Sequence, residues 1–191
     1  MKKIVLTLVM ILSVFILSAC SLNGGESPKD TVKAFLDKYK NQDDEVLSDL
    51  DETISSEYTG EYKERYKTLM VNQYKNLEYD ITDEVIDGNT AIVTAEITVY
   101  DYSNAINEAN DYLSNHEDEF YKKSSDETSR EEKDNTLDND KFLDYKLGLL
   151  ENVSDKTTYT IDFSLTKEDK KWKLDSLTDS DIEKLHGIYS E

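Results

Sequence analysis

Several residue types are scarce in this chain, and each scarcity excludes a class of protein. The 191 residues include one cysteine, one proline and two histidines. A single cysteine excludes an intramolecular disulfide framework and the multi-cysteine zinc and iron–sulfur sites. Bases are also few, with 22 Lys and Arg against 42 Asp and Glu and a formal charge of −20. Because nucleic-acid binding depends on Lys and Arg displacing counterions from phosphates, we predict no nucleic-acid partner.

Catalytic motifs are missing as well. The sequence has no Gly-x-Ser-x-Gly elbow, no phosphate-cradling glycine loop and no His-Glu-x-x-His pattern. His116 falls on the apolar stripe of a predicted helix, which favours a packed histidine over a metal ligand or a base. His186 precedes Gly187 at a predicted helix end, where an imidazolium would complement the helix dipole. We therefore predict no catalytic residue, no metal site and no cofactor.

The longest apolar run lies at the amino terminus. Lys2 and Lys3 precede an uninterrupted stretch over residues 4–17 that contains no charged residue. This stretch is shorter than the roughly 20 residues that a membrane-spanning helix needs. It predicts an export signal peptide over residues 1–19.

The end of that run, Leu17-Ser18-Ala19-Cys20, resembles the lipobox of bacterial lipoproteins. The resemblance implies cleavage before Cys20, a diacylglyceryl thioether on its sulfur and a lipid anchor on the extracytoplasmic face of the cell membrane. Two acyl chains, at about 0.8 kcal/mol per buried CH₂, are enough for stable anchoring. Residues 20–28 would then form a lipidated tether. The alternative is an ordinary secretory signal with an incidental cysteine.

Helical periodicity marks the first part of a single domain that we predict over residues 29–191. Ser27-Pro28 opens a helix, since serine is a favoured N-cap and proline suits the first helical position. The apolar residues that follow keep the i, i+3, i+4, i+7 spacing of one buried face: Val32, Phe35, Leu36 and Tyr39. A shorter second helix follows an acidic cluster at residues 43–45, and a third spans about residues 60–76.

The period then changes to the alternation of β-strands. One hairpin runs over residues 77–99 around a turn at residues 87–89, with Val85 in phase with Leu77. A second hairpin runs over residues 159–174, and a short last helix starts near Thr178. We predict one core that contains eight side chains from these elements: Phe35, Leu36, Leu69, Val93, Ile97, Ile161, Phe163 and Trp172.

An insertion over residues 103–156 separates the two hairpins. Its two ends keep helical spacing, whereas residues 122–140 are highly charged and contain Leu137 as their single apolar side chain. Burial of so little apolar surface cannot offset the conformational entropy that the segment would lose on ordering. We therefore predict a mobile, solvated connector there. The alternative is that residues 128–133 extend a helix into water.

The layout predicts an α+β fold, with N-terminal helices packed on a curved antiparallel sheet of two hairpins and a helical insertion between them. Residues 30–36, 91–102 and 171–177 resemble the nuclear-transport-factor-two or ketosteroid-isomerase-like superfamily, particularly small lipoproteins of low-GC Gram-positive bacteria. The resemblance covers about residues 29–188 and implies a cone-shaped fold. None of the three segments is a catalytic motif, and the insertion departs from the family pattern because it separates strands that are usually consecutive.

Two tyrosine groups are candidates for a binding or catalytic site. Tyr58, Tyr62 and Tyr66 form a stripe that could stack a sugar or an aromatic ligand, and the alternative is the edge of the core. Ketosteroid isomerase uses a pocket tyrosine and acids, and the segment Tyr100-Asp101-Tyr102 invites comparison with it. Strand parity predicts that Asp101 is buried and that both of these tyrosines are exposed, so we carry no catalytic role over to them.

The acidic clusters at residues 43–45, 117–119 and 138–140 lack the glycine and closing glutamate of an EF-hand loop. We assign them to solvated helix starts and faces with weak, diffuse cation binding. Removal of the signal peptide would leave 20 bases against 42 acids, a net charge of −22. Such a charge favours neutral or cationic partners.

The leading hypothesis is a lipid-anchored, non-catalytic domain that binds a protein, an envelope component or a small ligand. The alternative is an isomerase or hydrolase that uses a carboxylate in the cone. A closed apolar pocket holding a titratable group would favour the enzyme, and a sealed or shallow interior would favour the binding domain.

Overall fold

A computed structural model describes residues 27–122 and 136–190 of the chain. Cys20, the predicted signal peptide and most of the predicted tether lie outside the described residues, as does the 123–135 part of the predicted connector. Within the described ranges the chain forms seven helices and six strands: α1 Pro28–Lys40, α2 Asp44–Glu57, α3 Gly60–Lys75, β1 Glu78–Asp87, β2 Thr90–Tyr100, α4 Tyr102–Asn115, α5 Glu117–Phe120, β3 Tyr121–Lys122, β4 Thr136–Leu137, α6 Asn139–Glu151, β5 Lys156–Glu168, β6 Lys171–Leu174 and α7 Asp179–His186.

The N-terminal helices follow the predicted signals. Ser27 caps α1 by accepting a hydrogen bond from the backbone N–H of Asp30 at 3.1 Å, and the four predicted apolar residues of α1 are buried. Helix α2 runs to Glu57 and is longer than predicted. Ile54 continues the buried face that Val46 begins, so the packing of this face extends over the extra turn.

The predicted fold class is confirmed. β1, β2, β5 and β6 form an open antiparallel sheet in that order, so the two hairpins join through the central pair β2–β5. Asp169 and Lys170 turn the second hairpin with φ of 49° and 67°, the left-handed conformation that tight hairpin turns need. All eight predicted core residues lie in one buried cluster beneath the sheet and the helices.

One strand departs from the predicted alternation. The β1–β2 register shifts between Ile81 and Asp83, the mark of a β-bulge, and beyond it Val85 pairs with Ile92. The prediction that Val85 keeps the phase of Leu77 is therefore wrong: Leu77 is buried, whereas Val85 is exposed. One extra residue in a strand moves all later side chains to the other face.

The insertion builds a small aromatic core of its own. Phe120 packs edge-to-face on Phe142 with ring centroids 5.7 Å apart, and Ala109 is buried beside them. Strands β3 and β4 pair across the ends of the predicted connector, and α6 begins at Asn139. The structure therefore places both ends of residues 122–140 in regular elements.

Candidate functional site

A buried polar network joins α3, the end of β2 and α7. The side chain of Gln73 is fully buried on the apolar stripe of α3. Its Oε1 accepts from the backbone N–H of Tyr100 at 2.9 Å. Its Nε2 donates to the carbonyl oxygens of Tyr100 at 3.2 Å and of His186 at 3.0 Å. One amide thus satisfies backbone groups of two other elements and holds them in a fixed arrangement.

His186 is the second member of this network. Its Nδ1 lies 2.8 Å from the carbonyl oxygen of Ile182, and its Nε2 lies 3.0 Å from the hydroxyl of Tyr74. Because a carbonyl only accepts, Nδ1 carries the proton and Nε2 accepts from Tyr74. Burial lowers the pKa of His186 to about 4. The prediction of a cationic histidine that complements the helix dipole is wrong, since the ring is buried and neutral.

Gly187 ends α7 in the left-handed conformation, with φ of 71°. A Cβ at this position would lie 2.0 Å from the carbonyl oxygen of Tyr100, so only glycine allows the approach. The Gly187 carbonyl accepts from the backbone N–H of Tyr102 at 2.8 Å. Farther on, the hydroxyl of Tyr159 donates to the carbonyl of Tyr189 at 3.4 Å. The chain after α7 is therefore held against β5 and the start of α4.

An open groove of about 490 Å³ lies beside this segment, between α4, β5 and the end of α7. Its lining is mostly polar and includes the side chains of Asn104, Asn107, Thr158, Thr160, Lys184 and Tyr189. The network above fixes two of its walls, because α7 and the β2–α4 junction share Gln73.

The polar groups of the groove differ in their availability. The Asn107 amide on α4 and the Thr160 hydroxyl on β5 make no hydrogen bond within the described part of the chain. Lys184 lies 3.5 Å from the Asp181 carboxylate and 5.4 Å from the ring centre of Tyr189. The arrangement can donate and accept hydrogen bonds toward an uncharged polar ligand.

The carboxylate of the groove, Asp101, is already engaged. One oxygen accepts from the backbone N–H and the hydroxyl of Ser103, and the other accepts from Asn104 Nδ2 at 2.9 Å. β2 ends at Tyr100, so strand parity does not continue through this segment. Asp101 is half-buried as the N-cap of α4, and Tyr102 is 2% exposed. The prediction of an exposed Tyr102 is wrong because a helix starts there.

The predicted tyrosine stripe divides between two elements, with Tyr62 and Tyr66 on α3 and Tyr58 at the C-cap of α2. Tyr58 stacks on the buried Tyr66 with ring centroids 5.3 Å apart. The Tyr62 hydroxyl donates to the carbonyl of Asp140 at 3.1 Å, next to the start of α6. Burial raises the pKa of Tyr58 to about 12. These contacts give the three tyrosines packing partners within the chain, with Tyr62 bound to α6, and a ligand-binding role for them stays a prediction.

The remaining candidates have local structural roles. His116 stacks on Tyr112 with ring centroids 3.9 Å apart, but it is exposed at the C-cap of α4, so its predicted place on the buried face of the helix is wrong. Asp43 and Asp138 cap α2 and α6. No group of three or more potential metal-ligating side chains occurs within residues 27–122 and 136–190. In the same ranges, no helix has the length and apolar character to cross a bilayer.

Sequence reasoning missed the groove because its walls come from three separate elements. Asn107, Thr160 and Lys184 are ordinary surface residue types and form no motif. The one available signal was Gln73, a polar residue on an otherwise apolar stripe. A buried amide requires partners, and these turn out to be the backbone groups beside the groove.

Comparison with known proteins adds one distant likeness. No protein-family model matches the chain, and no curated protein matches it. Among solved structures, the chain resembles a candidate lipoprotein of Bacillus subtilis, ycdA, with 17% sequence identity and a TM-score of 0.39. The match covers 84% of this chain and 48% of that one, so this chain spans about half the length of ycdA. A likeness this distant does not establish a shared fold or function, and the resemblance to the nuclear-transport-factor-two superfamily stays a prediction.

Proposed function

We propose that this chain is a lipid-anchored, non-catalytic binding protein on the extracytoplasmic face of the cell membrane. The observation that carries the anchor is Leu17-Ser18-Ala19-Cys20 at the end of the apolar run that follows Lys2 and Lys3. Cys20 would carry the lipid and tether the domain to the membrane. The acidic domain itself would be repelled by anionic head groups, so the lipid supplies the attachment.

The binding site of this protein is the groove between α4, β5 and α7. Asn107 and Thr160 support this assignment, because both line the groove and their hydrogen-bonding groups have no partner among the described residues. Lys184 is paired with Asp181 and Asp101 with its own helix start, so neither offers a free charge. An uncharged ligand rich in hydroxyl or amide groups fits this lining best.

The alternative of an isomerase or hydrolase needs a carboxylate that is free to move a proton. Asp101 is the carboxylate of the groove, and both of its oxygens accept hydrogen bonds from α4. Buried titratable groups such as His186 and Tyr74 bond to each other and pack in the interior. These contacts favour the binding role over the catalytic one.

The anchor is tested by fractionating cells that express the full chain or Cys20→Ala. We expect the wild type in the membrane fraction and Cys20→Ala in the medium or as an uncleaved precursor. Ser21→Ala keeps the cysteine and serves as the matched control, which should fractionate like the wild type. Normal maturation and membrane retention of Cys20→Ala would overturn the anchor.

The groove is tested on the purified full chain in detergent, with a panel of neutral saccharides and uncharged peptides in a thermal-shift assay. A ligand of the groove should stabilise the wild type, and Asn107→Ala and Thr160→Val should each lose that shift. Asn110→Ala removes an exposed amide from the same helix outside the groove and should keep it. Equal ligand-induced thermal shifts in all three variants would mean that the ligand binds outside the groove.

A further inference from the structure

The half of the β1–β2 hairpin that lies next to its turn exposes apolar side chains to solvent. Among the described residues, the exposed large hydrophobic side chains are Val85, Ile86 and Ile92, at 58%, 52% and 47%. All three lie in this one hairpin. Val85 and Ile92 are directly paired across the strands, so they form a continuous patch on the outer face of the sheet. Adjacent exposed apolar side chains of this kind mark interaction surfaces.

The β-bulge is what exposes the patch. Without the register shift between Ile81 and Asp83, Val85 would share the face of Ile81, which packs against the core. The shift instead turns Val85 outward beside Ile92. Bulges commonly redirect a side chain where a strand has a function.

Acidic residues continue the same face of the sheet beside the patch, on the side away from the hairpin turn. β1 carries five acids and no Lys or Arg. Asp80 lies directly opposite Glu96, a like-charge pair that disfavours strand pairing. Asp80, Asp83 and Glu96 form no ion pair within the described ranges, and all three are exposed. A cationic partner would relieve this repulsion.

We infer that this face, formed by Val85 and Ile92 with Asp80, Asp83 and Glu96 beside them along the strands, docks a basic segment of a partner protein. The segment that fits has Lys or Arg alternating with apolar residues, so that one set meets the carboxylates and the other covers the patch. A second copy of this chain does not fit this face, because its own carboxylates would be placed against these and would repel them. An anionic bilayer would be repelled for the same reason.

The face lies close to the start of the domain. The backbone N–H of Lys29 donates to Glu84 Oε1 at 2.9 Å, which joins the beginning of α1 to β1. With an anchor at Cys20, the chain up to Lys29 reaches at most about 30 Å, so the docked segment lies near the membrane. This last placement rests on the proposed function, whereas the docking itself does not.

The test measures binding of ~8-residue synthetic peptides to the purified full chain in detergent, by fluorescence anisotropy. A peptide that alternates lysine with valine should bind, and one that alternates lysine with glycine should bind about tenfold more weakly. The double substitution Val85→Thr/Ile92→Thr should weaken binding of the lysine–valine peptide about tenfold. The double substitution Asp83→Asn/Glu96→Gln should weaken it by the same factor. Glu117→Gln/Asp118→Asn makes the same change in net charge on exposed residues of α5 and should bind like the wild type.

Several results would overturn the proposal. Equal binding of both peptides would show that charge alone is responsible. Unchanged binding to Val85→Thr/Ile92→Thr would place the site elsewhere, and a circular-dichroism melt of that variant checks that its fold is intact. Sedimentation that shows a dimer dissolved by the same substitutions would assign the face to self-association. Because no step involves Cys20, failure here leaves the anchor test unaffected.

Discussion

The burial of His186 makes the stability of the domain depend on pH. The neutral ring fits the network with Tyr74 and Ile182, and burial disfavours the charged imidazolium because it would lose its hydration. Its pKa of about 4 lies below the ordinary value of 6.5. Between these values the unfolded chain binds a proton that the folded chain does not, so folding is disfavoured as the pH falls.

We therefore expect the His186 contribution to be complete above about pH 6.5 and to be lost progressively down to about pH 4, up to about 3 kcal/mol in total. Urea unfolding from about pH 7 to about pH 4.5 measures the slope. His186→Gln should show a shallower slope than the wild type. His116→Gln changes the exposed histidine and should keep the wild-type slope, and identical slopes in both variants would contradict the expectation.

Gly187 and Gly148 provide a matched pair of glycine substitutions. Gly187→Ala combines a positive φ with a Cβ that would collide with the backbone of Tyr100, so we expect a loss of about 3 kcal/mol. Gly148 lies inside α6 with no heavy atom within 4 Å of a Cβ. Gly148→Ala should therefore stabilise the domain by about 0.5–1 kcal/mol. Chemical denaturation compares the two, and a neutral Gly187→Ala would mean that α7 packs differently.

At the scale of elements, the insertion packs around its own rings, while Leu147 and Leu150 of α6 reach the main core and charged side chains link α6 to α3. Arg65 on α3 donates to both carboxylate oxygens of Glu151 at 2.7 and 2.9 Å and also to Asp144. The buried rings of the insertion form a cluster distinct from the main core, and Leu149 packs against both. We infer that the insertion opens locally more readily than the sheet.

Phe120→Ala tests this separation. Loss of the ring should lower the stability by about 3–5 kcal/mol, and most of this loss should fall on α4, α5 and α6. Hydrogen exchange should accelerate in α4 and α6 and stay nearly unchanged in β2 and β5. Phe163→Ala, in the main core, should instead accelerate exchange throughout. Equal acceleration of the sheet by Phe120→Ala would show that the two clusters unfold together.

At the scale of the whole molecule, charge opposes compaction. The chain carries −20 formal charges, and the ion pairs of the described residues neutralise only part of its acids. We expect the melting temperature to rise with sodium chloride and to level off near about 0.2 M, where the screening length falls below about 8 Å. Potassium chloride at equal ionic strength should act alike. A melting temperature that falls steadily with added salt would mean that the stabilising ion pairs outweigh the repulsion among the acids.

Local spacing determined much of the fold. Three features follow from side-chain period and capping, which depend only on neighbours along the chain: the N-cap of α1 at Ser27, the buried face of α1 and the strand alternation from Ala91 to Val99. The eight core residues follow from the same patterns.

Only the tertiary structure decided the rest. The bulge turned Val85 outward, a helix start buried Tyr102, and burial beneath the packed elements made His186 a neutral interior ring. The groove likewise requires α4, β5 and α7 to meet. Periodicity shows which side of a segment is buried. The register of β1, the tautomer of His186 and the lining of the groove depend instead on residues that are distant in the chain, and no local pattern encodes which residues those are.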